Sequence, residues 1–228
     1  ELKAENLPIN LWIPFGYYKE FEKRKIPVDK KFALAVSELE REDWLSIFKL
    51  EMTNPVSILI QKVIAKLNKE KDYDLDDILA EIEKDAAMEL PTKRAAQSLF
   101  EAAKTWQIFA NKNESATKTE QLVEAGVTSV LDLSMYSSTD SFNVRALVIG
   151  LIAKKLYNQR MLARKKEEIN AIYYGLEKIE NKKEMPLVWL FLDEAHEFLP
   201  QHGETPATNA LVQLLREGRQ PGISMVLA

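Results

Sequence analysis

Apolar and polar residues alternate over residues 7–14 (LPINLWIP) between prolines, the pattern of an edge strand. Phe32 to Val36 forms a second short run of strand formers, after which the period lengthens to that of helices. Ser37 followed three residues later by Glu40 makes a capping box, in which hydroxyl and carboxylate satisfy free N–H groups at a helix start. It predicts a helix to about Leu50 with Trp44, Leu45 and Phe48 on its apolar face. Asn54 with Pro55 at the first helical position opens the next helix, which carries Ile58, Leu59, Val63, Ile64 and Leu67 at helical spacing. Asp74 caps a third helix to about Ala87, and Pro91 starts a fourth through Leu99, Trp106 and Phe109. Residues 37–113 therefore read as all-helical, with no catalytic cluster of their own.

Beyond a polar stretch from Asn111 to Thr119, VTSVLDLS (127–134) reads as a strand buried on both faces, as parallel strands are. A long helical pattern follows from about Phe142 to Ile179, capped near Thr139 or Asp140. At 1.5 Å per residue it would span roughly 55 Å if unbroken, with Gly150 and Gly175 allowing kinks. Leu187 to Leu192 is the most apolar strand; Pro206 to about Arg219 is another helix, and Ile223 to Ala228 another buried strand. Strand and helix alternating in this way predict an α/β fold with a parallel sheet and right-handed crossovers. The chain divides into edge strands of an α/β core (1–36), a helical insertion (37–125) and the rest of the core (126–228).

Composition narrows the chemistry. The 228 residues contain no cysteine, which excludes a disulfide scaffold, a thiolate nucleophile, Cys-ligated zinc and iron–sulfur clusters. Two histidines, His196 and His202, leave little for a histidine-rich metal site. A net charge of −4 argues against general coating of polyanions, while leaving room for nucleic acid held by a local basic strip in an oligomer. No apolar run reaches the ~20 residues of a membrane span and Glu1 begins no signal peptide, so the expectation is an intracellular, cytoplasmic protein without a membrane partner. Glu1 in place of methionine and an end at Ala228 inside an apolar run suggest a piece of something longer.

The segment LVWLFLDEAHEF (187–198) carries the chemistry. Bulky apolar residues ending in Asp193-Glu194 put two carboxylates at the C-terminal edge of a strand, where ligands of open α/β sheets bind. In nucleotide hydrolases one such carboxylate serves the magnesium shell, usually through water, and the other polarises the attacking water. An acidic helix cap after a core strand has the same outline. His196 lies close to both acids, but with no partner histidine it reads as a residue that hydrogen-bonds locally. In ALVQLLREGRQPGISMVLA (210–228) a helix ends in Arg216 and Arg219, and Gly218 and Gly222 bracket a turn into a strand. Those arginines would emerge beside the acidic strand's ligand edge or across a subunit boundary, where a guanidinium can neutralise charge on a transferring phosphoryl group. Complementing the dipole at a helix C-terminus is the simpler role.

The pairing of hhhhDEAHxF with LhREGRxxGIShhhA, one helix apart, resembles the HerA/FtsK superfamily of P-loop ATPases, and within it the HerA-like DNA translocases. The resemblance is strong over 187–228 and looser before it. It implies a parallel sheet of RecA-like type with a helical insertion, ATP and Mg²⁺ as cofactors, double-stranded DNA as substrate, a homo-hexameric ring and a nuclease partner of the NurA kind in DNA processing or end resection. It further implies that Asp193 is the magnesium ligand, through water, that Glu194 is the catalytic glutamate, and that Arg216 or Arg219 is the trans-acting arginine. The phosphate loop G-x-x-x-x-G-K-[ST] is absent from all seven glycine contexts, so the isolated polypeptide is expected not to hydrolyse ATP appreciably.

Two other readings stay open. DEAH matches motif II of superfamily-two helicases, although REGR and GISMVLA replace the Ser-Ala-Thr motif expected there. A non-catalytic module that lost its phosphate loop is the third. For DNA, Lys154, Lys155, Arg160, Arg164, Lys165 and Lys166 form a basic strip on the long helix that could meet phosphates, but Glu167 and Glu168 follow it, as on a merely solvated face. Trp12, Trp44, Trp106 and Trp189 all sit in apolar patterns and read as core.

Overall fold

The structure is a computed structural model that describes residues 7–70, 72–112, 115–136, 143–174 and 185–228. Within them lie five strands and eight α-helices, a mixed α/β chain with small parallel sheets. The chain forms two units, Asn10–Thr117 with Val130–Val144, and Glu1–Ile9 with Lys118–Ser129 and Arg145–Ala228.

Strand β1 (Ile9–Pro14) is followed by a short helix α1 (Tyr18–Lys23) and β2 (Lys30–Phe32), which runs parallel to β1 with Trp12 opposite Lys30 and Pro14 opposite Phe32. The predicted strand at 32–36 is shorter and starts earlier. Leu34 continues it only as a single bridge to Phe109, and Val36 turns into a 3₁₀ segment, Val36–Glu38, that buries its side chain.

Helices α2 (Arg41–Ile47), α3 (Pro55–Leu67), α4 (Leu75–Lys84) and α5 (Leu90–Lys104) pack together. The capping box of α2 is not Ser37 with Glu40 but Glu40 with Asp43, whose Oδ2 accepts the Glu40 N–H at 2.8 Å. The other start signals act as read: Asn54 Oδ1 accepts the Val56 N–H at 2.9 Å, and Asp74 Oδ1 accepts the N–H groups of Asp76 and Asp77 at 3.0 and 3.1 Å. The apolar stripes of these helices meet at Trp44, fully buried, whose ring lies 5.0 Å from Phe100 and 5.5 Å from both Phe48 and Phe109.

Strand β3 (Thr128–Leu131) runs beside β1, with the Thr128 N–H donating to Pro8 O and the Asp132 N–H to Trp12 O, both at 2.9 Å. Two expectations fail here. The strand is not buried on both faces, since its residues alternate between exposed and half-buried, and it joins β2 and β1 instead of the sheet built by the last strands.

The second unit holds the single-turn α6 (Thr119–Leu122), the long α7 (Val144–Tyr174), β4 (Val188–Leu192), α8 (Thr208–Glu217) and β5 (Ile223–Leu227). At 31 residues α7 spans roughly 47 Å. The proposed cap at Thr139 or Asp140, the helix start at Phe142 and everything from Gly175 to Ile179 lie outside the described residues. The helix runs through Gly150 without a break. This glycine lets α7 approach another backbone, because a Cβ there would sit 2.6 Å from Pro206 O.

Strands β4 and β5 pair in parallel from Val188 opposite Ile223 to Leu192 opposite Leu227. Ala146, Ala153, Leu156 and Ala163 of α7, Leu211 and Leu214 of α8, and Val188, Leu192 and Ile223 of the strands form one core on one face of this sheet. The other face is open: Leu187, Trp189 (65% exposed) and Phe191 (68% exposed) stand on it at alternate positions, and Val226 of β5 is also exposed. Neither strand is therefore buried through, and Trp189 is not core, unlike Trp12, Trp44 and Trp106. Among the described residues no helix is long and apolar enough to cross a membrane.

Candidate functional site

Strand β4 delivers the two acids. Its inward residues Val188 and Leu192 are fixed in the core, so the chain emerges at Asp193 and Glu194, both exposed, at the carboxyl end of a parallel strand. Glu194 takes the left-handed conformation (φ 52°, ψ 42°), which costs a non-glycine residue about 1 kcal/mol or more. Hydrogen bonds on both sides hold it there. Ala228 N–H donates to Leu192 O at 3.0 Å, Ala195 N–H donates to Ala228 O at 2.9 Å, and Glu197 N–H donates to Glu194 O at 2.9 Å. The last residue of the chain thus extends the β4–β5 ladder into the acidic turn.

Within the turn, Asp193 Oδ1 accepts the Glu194 N–H at 3.0 Å, and Glu194 Oε2 lies 3.4 Å from His196 Nδ1. Just beyond, Glu197 pairs with Arg145 at 2.8 Å, with both side chains about four-fifths buried, tying the turn to the start of α7. Among the described residues no group of three or more His, Asp or Glu side chains gathers to hold a metal ion. Asp193 and Glu194 offer two carboxylates, enough for an ion that keeps most of its waters.

The arginines are elsewhere. Arg216 stands in the last turn of α8 and Arg219 in the following turn, before β5 begins at Ile223. Because β5 runs parallel to β4 in register, that turn faces the start of β4, while the acids follow its end. Five strand residues, roughly 16 Å, separate the two ends. Within one chain, the arginines do not lie beside the acidic strand's ligand edge. Gly218 and Gly222 do shape the turn: Gly222 has φ 80°, and a Cβ there would strike Leu187 Cδ2 at 2.5 Å.

The basic strip on α7 splits into different environments. Arg160 is 1% exposed and cannot meet a phosphate backbone. Its Nε donates to Pro221 O at 2.8 Å, and one Nη donates to Met185 O at 2.7 Å and to Glu167 Oε1 at 3.2 Å. It therefore clamps the segments that enter β4 and β5 onto α7. Arg164 pairs with Glu168 at 3.1 Å and with Glu167 at 3.5 Å, and it lines a basin with Arg216 and Arg219. Sequence reasoning missed this grouping, although Tyr157, Arg160, Arg164 and Glu168 recur at the three- and four-residue spacing of one helix face.

Compared with known proteins, the chain matches no protein-family model and no curated protein.

Proposed function

We propose that the chain forms the greater part of a RecA-like motor domain of the HerA/FtsK kind, working as an ATP-driven hexameric translocase or helicase on double-stranded DNA, with a NurA-like nuclease as partner. The observation that carries this reading is the acidic turn. Two adjacent carboxylates, the second in a constrained left-handed conformation, follow the end of a parallel strand whose neighbour starts from an Arg-Gly turn. In this reading Asp193 holds Mg²⁺ through water and Glu194 orients the water that attacks the γ-phosphate. The arginine turn faces the start of β4 and the acids follow its end, which supports action of Arg216 or Arg219 on a neighbouring subunit's nucleotide. The phosphate-cradling loop would come from residues outside these 228.

The test uses the polypeptide joined to whatever phosphate loop its gene encodes upstream. Glu194→Gln is expected to lower ATP turnover at least a hundredfold while leaving ATP binding within about twofold, since the metal site persists. Wild-type turnover in that variant refutes the assignment. A reading frame that encodes no such loop instead favours the non-catalytic module, the one alternative with an observation behind it.

A further inference from the structure

Beyond the ladder that fixes its first half, the acidic turn has a second anchor. Phe198, 4% exposed, closes the 3₁₀ segment Ala195–Glu197, and its carbonyl accepts the hydroxyls of Thr205 and Thr208 at 2.8 and 3.0 Å. Between these fixed points Glu197 reaches in two directions. Its N–H donates to Glu194 O at 2.9 Å, and its Oε2 lies 2.8 Å from Nη2 of Arg145, the second residue of α7. One residue therefore connects a guanidinium on α7 to the carbonyl of the residue at φ 52°. Among the described residues the Glu194 carboxylate meets only the exposed His196, so its direction follows from its backbone.

The Arg145–Glu197 pair is a costly way to add stability. Its two side chains are about four-fifths withdrawn from water, and apolar residues of similar volume often serve a fold as well as a desolvated ion pair does. Among the described residues the buried Arg145 Nε also lacks a hydrogen-bond partner, a further cost that the fold carries. What an ion pair supplies and an apolar contact does not is direction. We propose that Arg145 is a positioning residue: through Glu197 it keeps Glu194 in the left-handed conformation and thereby aims the Glu194 carboxylate. Without the pair, Glu194 relaxes to the right-handed or extended region that non-glycine residues prefer, and its side chain leaves the backbone in another direction while the β4–β5 ladder stays intact. The anchoring stands on this geometry alone; that the aimed carboxylate serves an attacking water rests on the hydrolase reading above.

Amide hydrogen exchange of the 228-residue chain, followed by NMR, tests the anchoring. In Arg145→Met the Glu197 N–H is expected to exchange at least tenfold faster, with the amide of the buried Leu211 in α8 unchanged. Glu197→Gln, which keeps the shape of the side chain, should do the same, and the two substitutions together should do no more than either alone. Unchanged exchange at Glu197 in either variant, equal acceleration at Leu211, or additive effects overturn the proposal. Should Arg145→Met fail to fold, Glu197→Gln carries the test. In the polypeptide joined to its phosphate loop, Arg145→Met is expected to lower kcat at least tenfold and to leave KM for ATP within about twofold. A wild-type kcat in that variant, where Glu194→Gln abolishes turnover, overturns the catalytic purpose of the positioning. Wild-type turnover in Glu194→Gln with the exchange result intact refutes the hydrolase reading and leaves Arg145 as the anchor of the turn.

Discussion

In the helical unit, rings close on rings: Trp44, Phe48, Phe100 and Phe109 fill a center that α2 to α5 surround. In the unit built on α7, β4 and β5, small residues line the contact, with Ala146, Ala153 and Ala163 on the long helix, and a buried guanidinium ties the strand entrances together. The first arrangement draws its stability from apolar area and shape, which are non-directional. The second adds to its own apolar core a few directional bonds at one position and leaves its opposite strand face, with Leu187, Trp189 and Phe191, exposed. The candidate chemistry belongs to the second arrangement. Side chains that act on a ligand need defined directions, and a helix held close by alanines and glycine positions them with little intervening volume.

The largest test of this contrast is Trp44→Ala. Removing the fully buried indole should cost about 3–5 kcal/mol in urea denaturation, and a loss under about 1 kcal/mol would mean that the ring cluster is not what closes the helical unit. Next comes Arg160→Met, which keeps most of the apolar stem and deletes the hydrogen bonds to Pro221 O and Met185 O. Two carbonyls then lose a charged donor, for an expected loss of about 2–3 kcal/mol, whereas unchanged stability would show that apolar packing alone holds β4 and β5 on α7.

The smallest effect is one of pH. Asp85 accepts the Lys62 ammonium at 2.5 Å and the N–H groups of Ala87 and Met88 at 2.9 and 3.0 Å, and these bonds, that of Lys62 foremost, hold its carboxyl below the ordinary carboxylate range. A lowered value means that the ionised form favours the folded state. Its contribution is present above about pH 4 and fades as pH falls through the folded value. Asp85→Asn should therefore be slightly less stable than wild type at neutral pH, and the gap should narrow in acid. A gap that stays constant across that range would remove Asp85 from the acid response of the helical unit.

Local signals in the sequence were read well because their causes lie within a few residues. Asn54-Pro55 and Asp74 cap the helices they announce, since a side chain bonding an N–H two or three positions on needs no tertiary partner. Ser37 misled because two candidate boxes overlap: Glu40 closes the one that Ser37 would open and itself opens the one that forms with Asp43. Burial of Val36 and Leu39 bends the chain before the helix can start. The acidic turn was legible as a strand ending in two carboxylates. The separation of Arg216 and Arg219 from it was not, because only the parallel register of β5 with β4 decides which end a preceding turn faces. The partner of β3 and the burial of Arg160 are likewise nonlocal outcomes, and an apolar run such as LVWLFL looks the same whether one face of its strand is covered or both.

The open face of β4 has a spectroscopic consequence. Three of the four tryptophans are buried, so Trp189, at 65% exposure and four residues before Asp193, is the indole that a soluble quencher reaches. Its ring lies against Phe191, 6.3 Å between centers, on the strand that ends in the acidic turn. Iodide quenching of the intrinsic fluorescence thus reports from beside the carboxylates without a label, and the three shielded indoles supply a constant background.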